Sequence, residues 1–165
     1  MLKFLLSRIP HENAKSSALL IDDDRDIRTV TGLVLMTRGG ISTVHEASTG
    51  RDGLSMARQH RPSVILLDVG LPDMKGETVL QLLKADPWTS HIPVVFLTAR
   101  VREYQRLSAL QAASTVLKPF DPAELCAMVK RALHSDHVSL LPGAATLRRQ
   151  PQADYLRPVV SQAMH

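Results

Sequence analysis

Aromatic residues make up only 4% of the 165-residue chain. Any core must therefore be built from Leu, Val, Ile, Met and Ala. There is one cysteine, Cys126, which excludes an internal disulfide and fits a reducing, cytoplasmic setting. Cys126 falls within an apolar helical pattern and reads as a small buried hydrophobe, not a nucleophile. No apolar run approaches the length of a membrane span. Leu2, Leu5, Leu6 and Ile9 form a short helical stripe closed by Pro10, but the segment is too interrupted for a secretory signal and no small-residue cleavage site follows. The seven histidines show no metal-ligand spacing and read as structural or surface residues. No dense Lys/Arg stripe or recognition helix occurs, so direct DNA binding is not expected. The net charge of +4 sits mostly at the ends, with +2 in residues 1–15 and +1 in residues 134–165.

What is present is a regular alternation, and it begins at Ser17. Ala18 to Ile21 is a short apolar strand running into Asp22-Asp23-Asp24. Ile27, Val30, Leu33 and Val34 mark a helix face that ends at Gly39-Gly40. Ser42 to Ala47 is a second strand, and Gly50 to His60 is a helix with Leu54 and Ala57 inward, stopped by Pro62. Val64 to Leu67 is an unbroken apolar run into Asp68, as in a strand buried on both faces. Glu77 to Lys84 is the third helix, offering Val79, Leu80, Leu82 and Leu83 to the core. A loop carrying Trp88, read as packing, leads to the strand Pro93 to Leu97. The helix Arg102 to Ala112, the strand Thr115 to Leu117 and a last helix to about Leu133 follow. Asp121, Pro122 and Glu124 supply that last helix with its start signals. Asp24 and Asp26 read as a cap and solvated charge. Five strands alternating with five helices imply an α/β domain with one parallel sheet covered on both faces. The domain is placed at 17–134, after an N-terminal extension (1–16) and before a mostly disordered tail (135–165).

The residues that end the strands carry the chemistry. Asp22 and Asp23 end the first strand, Asp68 the third, Thr98 the fourth and Lys118 the fifth. In a parallel sheet these ends converge on one edge, where ligands gather in open α/β folds. Three carboxylates that close repel one another, and Lys118 supplies one counter-charge. A hard divalent cation on an all-oxygen site, best matched by Mg²⁺, supplies the rest. With a phosphoryl donor the roles follow. Asp68 is the nucleophile, Thr98 and Lys118 contact phosphoryl oxygens, and the backbone carbonyl of Gly70 completes the metal shell.

Asp22-Asp23, Asp68 within Leu67-Asp68-Val69-Gly70-Leu71-Pro72-Asp73-Met74-Lys75-Gly76, Thr98-Ala99 and Lys118-Pro119-Phe120 resemble the receiver domain of two-component response regulators. The resemblance covers about residues 17–134. It implies a flavodoxin-like three-layer sandwich with strand order 2-1-3-4-5, and a cis peptide bond before Pro119. It also implies phosphoryl transfer from a histidine kinase or histidine phosphotransfer protein to Asp68. Asp23 and Asp68 would bind Mg²⁺ directly with the Gly70 carbonyl, and Asp22 largely through water. The protein would be a phosphoacceptor rather than an enzyme with its own substrate, and its output would pass to an unidentified downstream protein.

Two departures fall on the face that receivers commonly use for output. Thr115 stands where receivers usually carry an aromatic residue, with Gln111-Ala112-Ala113-Ser114 before it. The spacing from Thr98 to Lys118 is also two residues shorter than usual. Altered partner choice or a coupling through Thr98 alone is therefore expected. Arg100 stands at the mouth of the site, where it reads either as a control on water access or as a plain surface residue. Two other functions compete. A haloacid-dehalogenase-like phosphatase needs a second Asp two positions after the first, and Gly70 stands there. A receiver-like interaction module that ignores phosphorylation would not need the acidic site.

Overall fold

Every residue from Val64 to Asp68 is buried, so this strand is the middle of the molecule and the others are arranged about it. The computed structural model describes residues 16–108 and 113–135. Within them β1 (Ser17–Ile21), β2 (Thr43–Ala47), β3 (Val64–Asp68), β4 (Val94–Thr98) and β5 (Ala113–Leu117) alternate with five helices. These are α1 (Arg25–Thr37), α2 (Gly50–His60), α3 (Gly76–Ala85), α4 (Val101–Ser108) and α5 (Pro122–Ser135). The strands form one sheet in the order β2-β1-β3-β4-β5, and every pairing is parallel. This is the flavodoxin-like topology expected from the sequence. The Leu2–Ile9 stripe, residues 109–112 and the tail beyond Ser135 lie outside the described residues.

The pleat divides the apolar side chains between two cores. Leu19, Ile21, Ile65, Leu67 and Phe96 face Ala57, Val79, Leu83 and Leu107 on one side of the sheet. Ala18, Leu20, Leu66, Val95, Leu97 and Val116 face Leu35, Leu125 and Val129 on the other. The one aromatic among these core residues is Phe96, fully buried, and aliphatic packing supplies the rest, as the composition requires. Cys126 is buried and free. The bond between Lys118 and Pro119 is cis.

The inward face of α1 differs from the sequence expectation. Val30 and Leu33 are 56% and 64% exposed, and the buried positions are Thr31, Gly32 and Leu35. The helix is turned by about one residue, and Arg28 shows why. Its guanidinium donates to the carbonyls of Asp22 (2.7 Å) and Asp23 (3.2 Å) and to Glu46 Oε2 (3.1 Å). Arg28, Thr31, Gly32 and Leu35 share one helical stripe, so anchoring Arg28 against β1 and β2 brings that stripe inward. Leu82 of α3 is likewise 47% exposed, because Gly76, Val79, Leu80 and Leu83 already complete a buried stripe. Trp88 is half exposed rather than packed inside. Its backbone N–H donates to Asp86 Oδ1 (2.9 Å), and the Arg61 guanidinium lies 4.3 Å from its ring centre. His45 of β2 and His60 of α2 stack with ring centres 4.0 Å apart.

The starts of α1 and α5 are capped by acidic side chains. Asp24 accepts the N–H groups of Asp26 (2.8 Å) and Ile27 (3.1 Å), and Asp121 accepts those of Ala123 (2.7 Å) and Glu124 (3.2 Å). Each such cap contributes about 1 kcal/mol. The start of α2 is capped locally by the Thr49 hydroxyl, which accepts the Asp52 N–H at 3.1 Å, and is also held from a distance. Asp73, in the loop after β3, accepts the N–H groups of Gly50 (2.8 Å) and Arg51 (2.9 Å).

Candidate functional site

The register fixes where the polar residues emerge. Ile21 pairs with Leu67, Asp68 with Leu97, and Thr98 with Leu117. Asp22, Asp68, Thr98 and Lys118 therefore leave the sheet at one edge, although Asp22 and Lys118 are 96 positions apart. Asp22 is 2% exposed. Its N–H donates to the Ala47 carbonyl at 3.1 Å, and its Oδ1 accepts the Asp24 N–H at 3.0 Å.

Asp68 is held at both carboxylate oxygens. Oδ2 accepts the Gly70 N–H at 2.7 Å, and Oδ1 accepts from Lys118 Nζ at 2.7 Å. The loop after it doubles back, with Gly70 bridged to Lys75 and the Gly76 N–H donating to the Val69 carbonyl at 2.9 Å. A Cβ at position 76 would collide with the Asp68 carbonyl oxygen. Glycine there permits the close approach that sets the loop against the strand end.

Charge decides what this arrangement can hold. Asp22, Asp23 and Asp68 present carboxylate oxygens that all lie within 4.8 Å of one another. At an effective dielectric of about 20, each like-charged pair at that distance costs on the order of 3 kcal/mol. Lys118 Nζ donates to Asp22 Oδ2 at 2.5 Å as well as to Asp68, and offsets one of the three charges. Burial pushes the Asp22 carboxyl above its ordinary value, and the charge of Asp68 adds to that rise. The hydrogen bond and charge of Lys118 pull the other way without overcoming it. Burial by itself would lower the Lys118 ammonium, but its hydrogen bonds to Asp22 and Asp68, with their charges, hold it above the ordinary lysine value. Lys118 is thus a fixed cation in a pocket that keeps an excess of negative charge. That donor set, all oxygen and under-compensated, is one that suits a hard divalent ion.

Thr98 stands at the same edge and is 1% exposed, but its hydroxyl is engaged locally. It donates to Glu103 Oε2 at 3.1 Å and accepts the Arg100 N–H at 3.1 Å. Glu103 Oε1 in turn accepts from Arg100 Nη1 at 3.1 Å. Arg28, Asp73 and Glu103 were not singled out as functional from sequence. Arg28 follows the acidic cluster by one helical turn, which is a usable signal. Asp73 and Glu103 act across loops, and no periodicity marks them.

The Response regulator receiver domain family matches residues 18–130 of this sequence. The chain belongs to that family. Among curated relatives of this receiver, the transcriptional regulatory protein CreB of Escherichia coli is 39% identical over 122 residues, which span 72% of this chain and 51% of CreB. The chain thus spans about half the length of that relative. Among solved structures, the chemotaxis protein CheY4 of Vibrio cholerae is 28% identical at a TM-score of 0.64, covering 72% of this chain and 99% of its own. The receiver domain of the sensor histidine kinase PA1611 from Pseudomonas aeruginosa gives 28% identity and a TM-score of 0.64. That match covers 74% of this chain and all of the other, and the PA1611 domain was solved with a magnesium ion coordinated in its active site cleft.

In this receiver the expected departure at position 115 is visible. Thr115 is 3% exposed and its hydroxyl has no hydrogen-bond partner among the described residues. No helix among the described residues is long and apolar enough to cross a membrane.

Proposed function

We propose that the receiver unit, residues 17–134, accepts a phosphoryl group on Asp68 and thereby switches the binding of a downstream protein. One observation carries this reading. Asp68 ends the central strand with both oxygens fixed by donors, inside a cluster of three carboxylates around a single ammonium. The donor is a histidine kinase or histidine phosphotransfer protein. An Asp68 oxygen attacks phosphorus, the P–N bond of the phosphohistidine breaks, and its electron pair returns to the imidazole. The acyl phosphate is later cleaved by water, which returns the carboxylate and releases phosphate.

Asp22, Asp23 and Asp68 are the residues to hold Mg²⁺, with the Gly70 backbone carbonyl, because their oxygens converge and lack a full counter-charge. When bound, the ion supplies neutralisation of charge on the carboxylate and phosphoryl oxygens. The chain's own groups do the rest. The Gly70 N–H orients Asp68. Lys118 has three donors and uses two on Asp22 and Asp68, which leaves one for a phosphoryl oxygen. Thr98 contacts the phosphoryl group once its hydroxyl is released. The lone buried Cys126 fits a cytoplasmic setting, and no part of this reading requires DNA contact.

Incubation with a labelled small phosphodonor and Mg²⁺ separates this reading from its rivals. A label retained on the protein and abolished by Asp68→Asn is the expected result. Continuous phosphate release from many esters would indicate a phosphatase instead. An unlabelled protein would indicate an interaction module that ignores phosphorylation, a reading favoured only by the changed residue at Thr115.

A further inference from the structure

A threonine hydroxyl has one proton to donate. In this structure Thr98 spends it on Glu103 Oε2 at 3.1 Å, while its oxygen accepts the Arg100 N–H at 3.1 Å. The ring is closed by Arg100 Nη1 donating to Glu103 Oε1, also at 3.1 Å. Thr98 is 1% exposed, so its hydroxyl is turned away from solvent. Glu103 sits in the first turn of α4, where the helix dipole favours a carboxylate. Its side chain is 24% exposed and that of Arg100 is 78% exposed, so the ring lies between the buried site and solvent.

We infer that Glu103 is a positioning residue that holds Thr98 in the resting arrangement and ties its release to the first turn of α4. The inference rests on the reading of Asp68 as the phosphoacceptor. Thr98 cannot donate to Glu103 and to a phosphoryl oxygen at once. Phosphorylation of Asp68 therefore has to break the Thr98–Glu103 bond, and the added negative charge repels the freed carboxylate. Glu103 lies in the first turn of α4 and its partner Arg100 immediately precedes that helix, so the change at Thr98 is delivered to it. This route needs no aromatic residue at position 115. Thr115 opposes Phe96 across the β4–β5 pairing, and its buried hydroxyl has no partner among the described residues, so nothing comparable is seen there.

The test measures binding of beryllofluoride, a phosphoryl mimic, in the presence of Mg²⁺, by ¹⁹F resonance. Removing one competing hydrogen bond by Glu103→Ala is expected to tighten binding about fivefold, with isosteric Glu103→Gln falling between this and the wild type. In a Thr98→Val background, where there is no hydroxyl to hold, Glu103→Ala is expected to change nothing. That coupling separates positioning through Thr98 from a plain charge effect. Unchanged affinity in Glu103→Ala overturns the inference, and so does equal tightening in the Thr98→Val background. A wild type that binds no beryllofluoride overturns the phosphoacceptor reading itself, and the latch with it.

Discussion

Removing the Lys118 ammonium leaves Asp22 and Asp68 facing one another with no counter-charge. Loss of one partner from a buried ion pair costs about 3–5 kcal/mol. Lys118→Met is expected to lose about 3 kcal/mol by denaturant titration at neutral pH, with added Mg²⁺ restoring part of it. An unchanged midpoint would show that Lys118 does not balance the cluster. At this scale Asp22, Asp23, Asp68 and Lys118 were legible in the sequence, because charged residues that end apolar strands have no packing reason to be there. Arg28 and Glu103 were less so. Arg28 acts mainly on backbone carbonyls, and Glu103 acts on a residue in the preceding element. Such bonds follow the folded path rather than any sequence pattern.

Strands were easier to read than helix faces. A run such as Val64–Leu67 is buried whichever way it faces. In α1, however, apolar residues occupy both possible stripes, and hydrophobicity alone favoured Val30 and Leu33. The hydrogen bonds of Arg28 turned the helix instead. Leu35→Ala is therefore expected to cost about 2–5 kcal/mol. Leu33→Ser on the exposed side is expected to stay within about 0.5 kcal/mol of wild type. Thermal denaturation of the two variants checks this, and equal losses would contradict the assigned face. The cap on α2 has a pH signature. The N–H groups of Gly50 and Arg51 hold the Asp73 carboxyl below its ordinary value of 3.8. Because the folded value is depressed, the stabilisation is present above the unfolded value and disappears as pH falls through the folded one. The stability gap between wild type and Asp73→Ala is expected to persist at neutral pH and to close in acid below 3.8. A gap independent of pH would show that the carboxylate charge contributes nothing.

Across the whole molecule, parallel pairing turns a dispersed set of residues into one site. Asp22, Asp68 and Lys118 meet because β1, β3 and β5 run the same way in the order β2-β1-β3-β4-β5. The strand–helix alternation in the sequence was enough to anticipate the parallel sheet, and the resemblance supplied the order. The acidic edge brings the carboxylates of Asp22, Asp23 and Asp68 together with Lys118, while Thr115, on the strand that leads to Lys118, lacks the aromatic side chain that receivers usually carry there. The central claim concerns one carboxylate, and one measurement reaches it directly. After incubation with a small phosphodonor and Mg²⁺, borohydride reduction converts an aspartyl phosphate to homoserine, which tandem mass spectrometry locates by residue. Homoserine at position 68 in wild type, and none anywhere in Asp68→Asn, is the expected result. Homoserine at another aspartate, or none in the wild type, would contradict it.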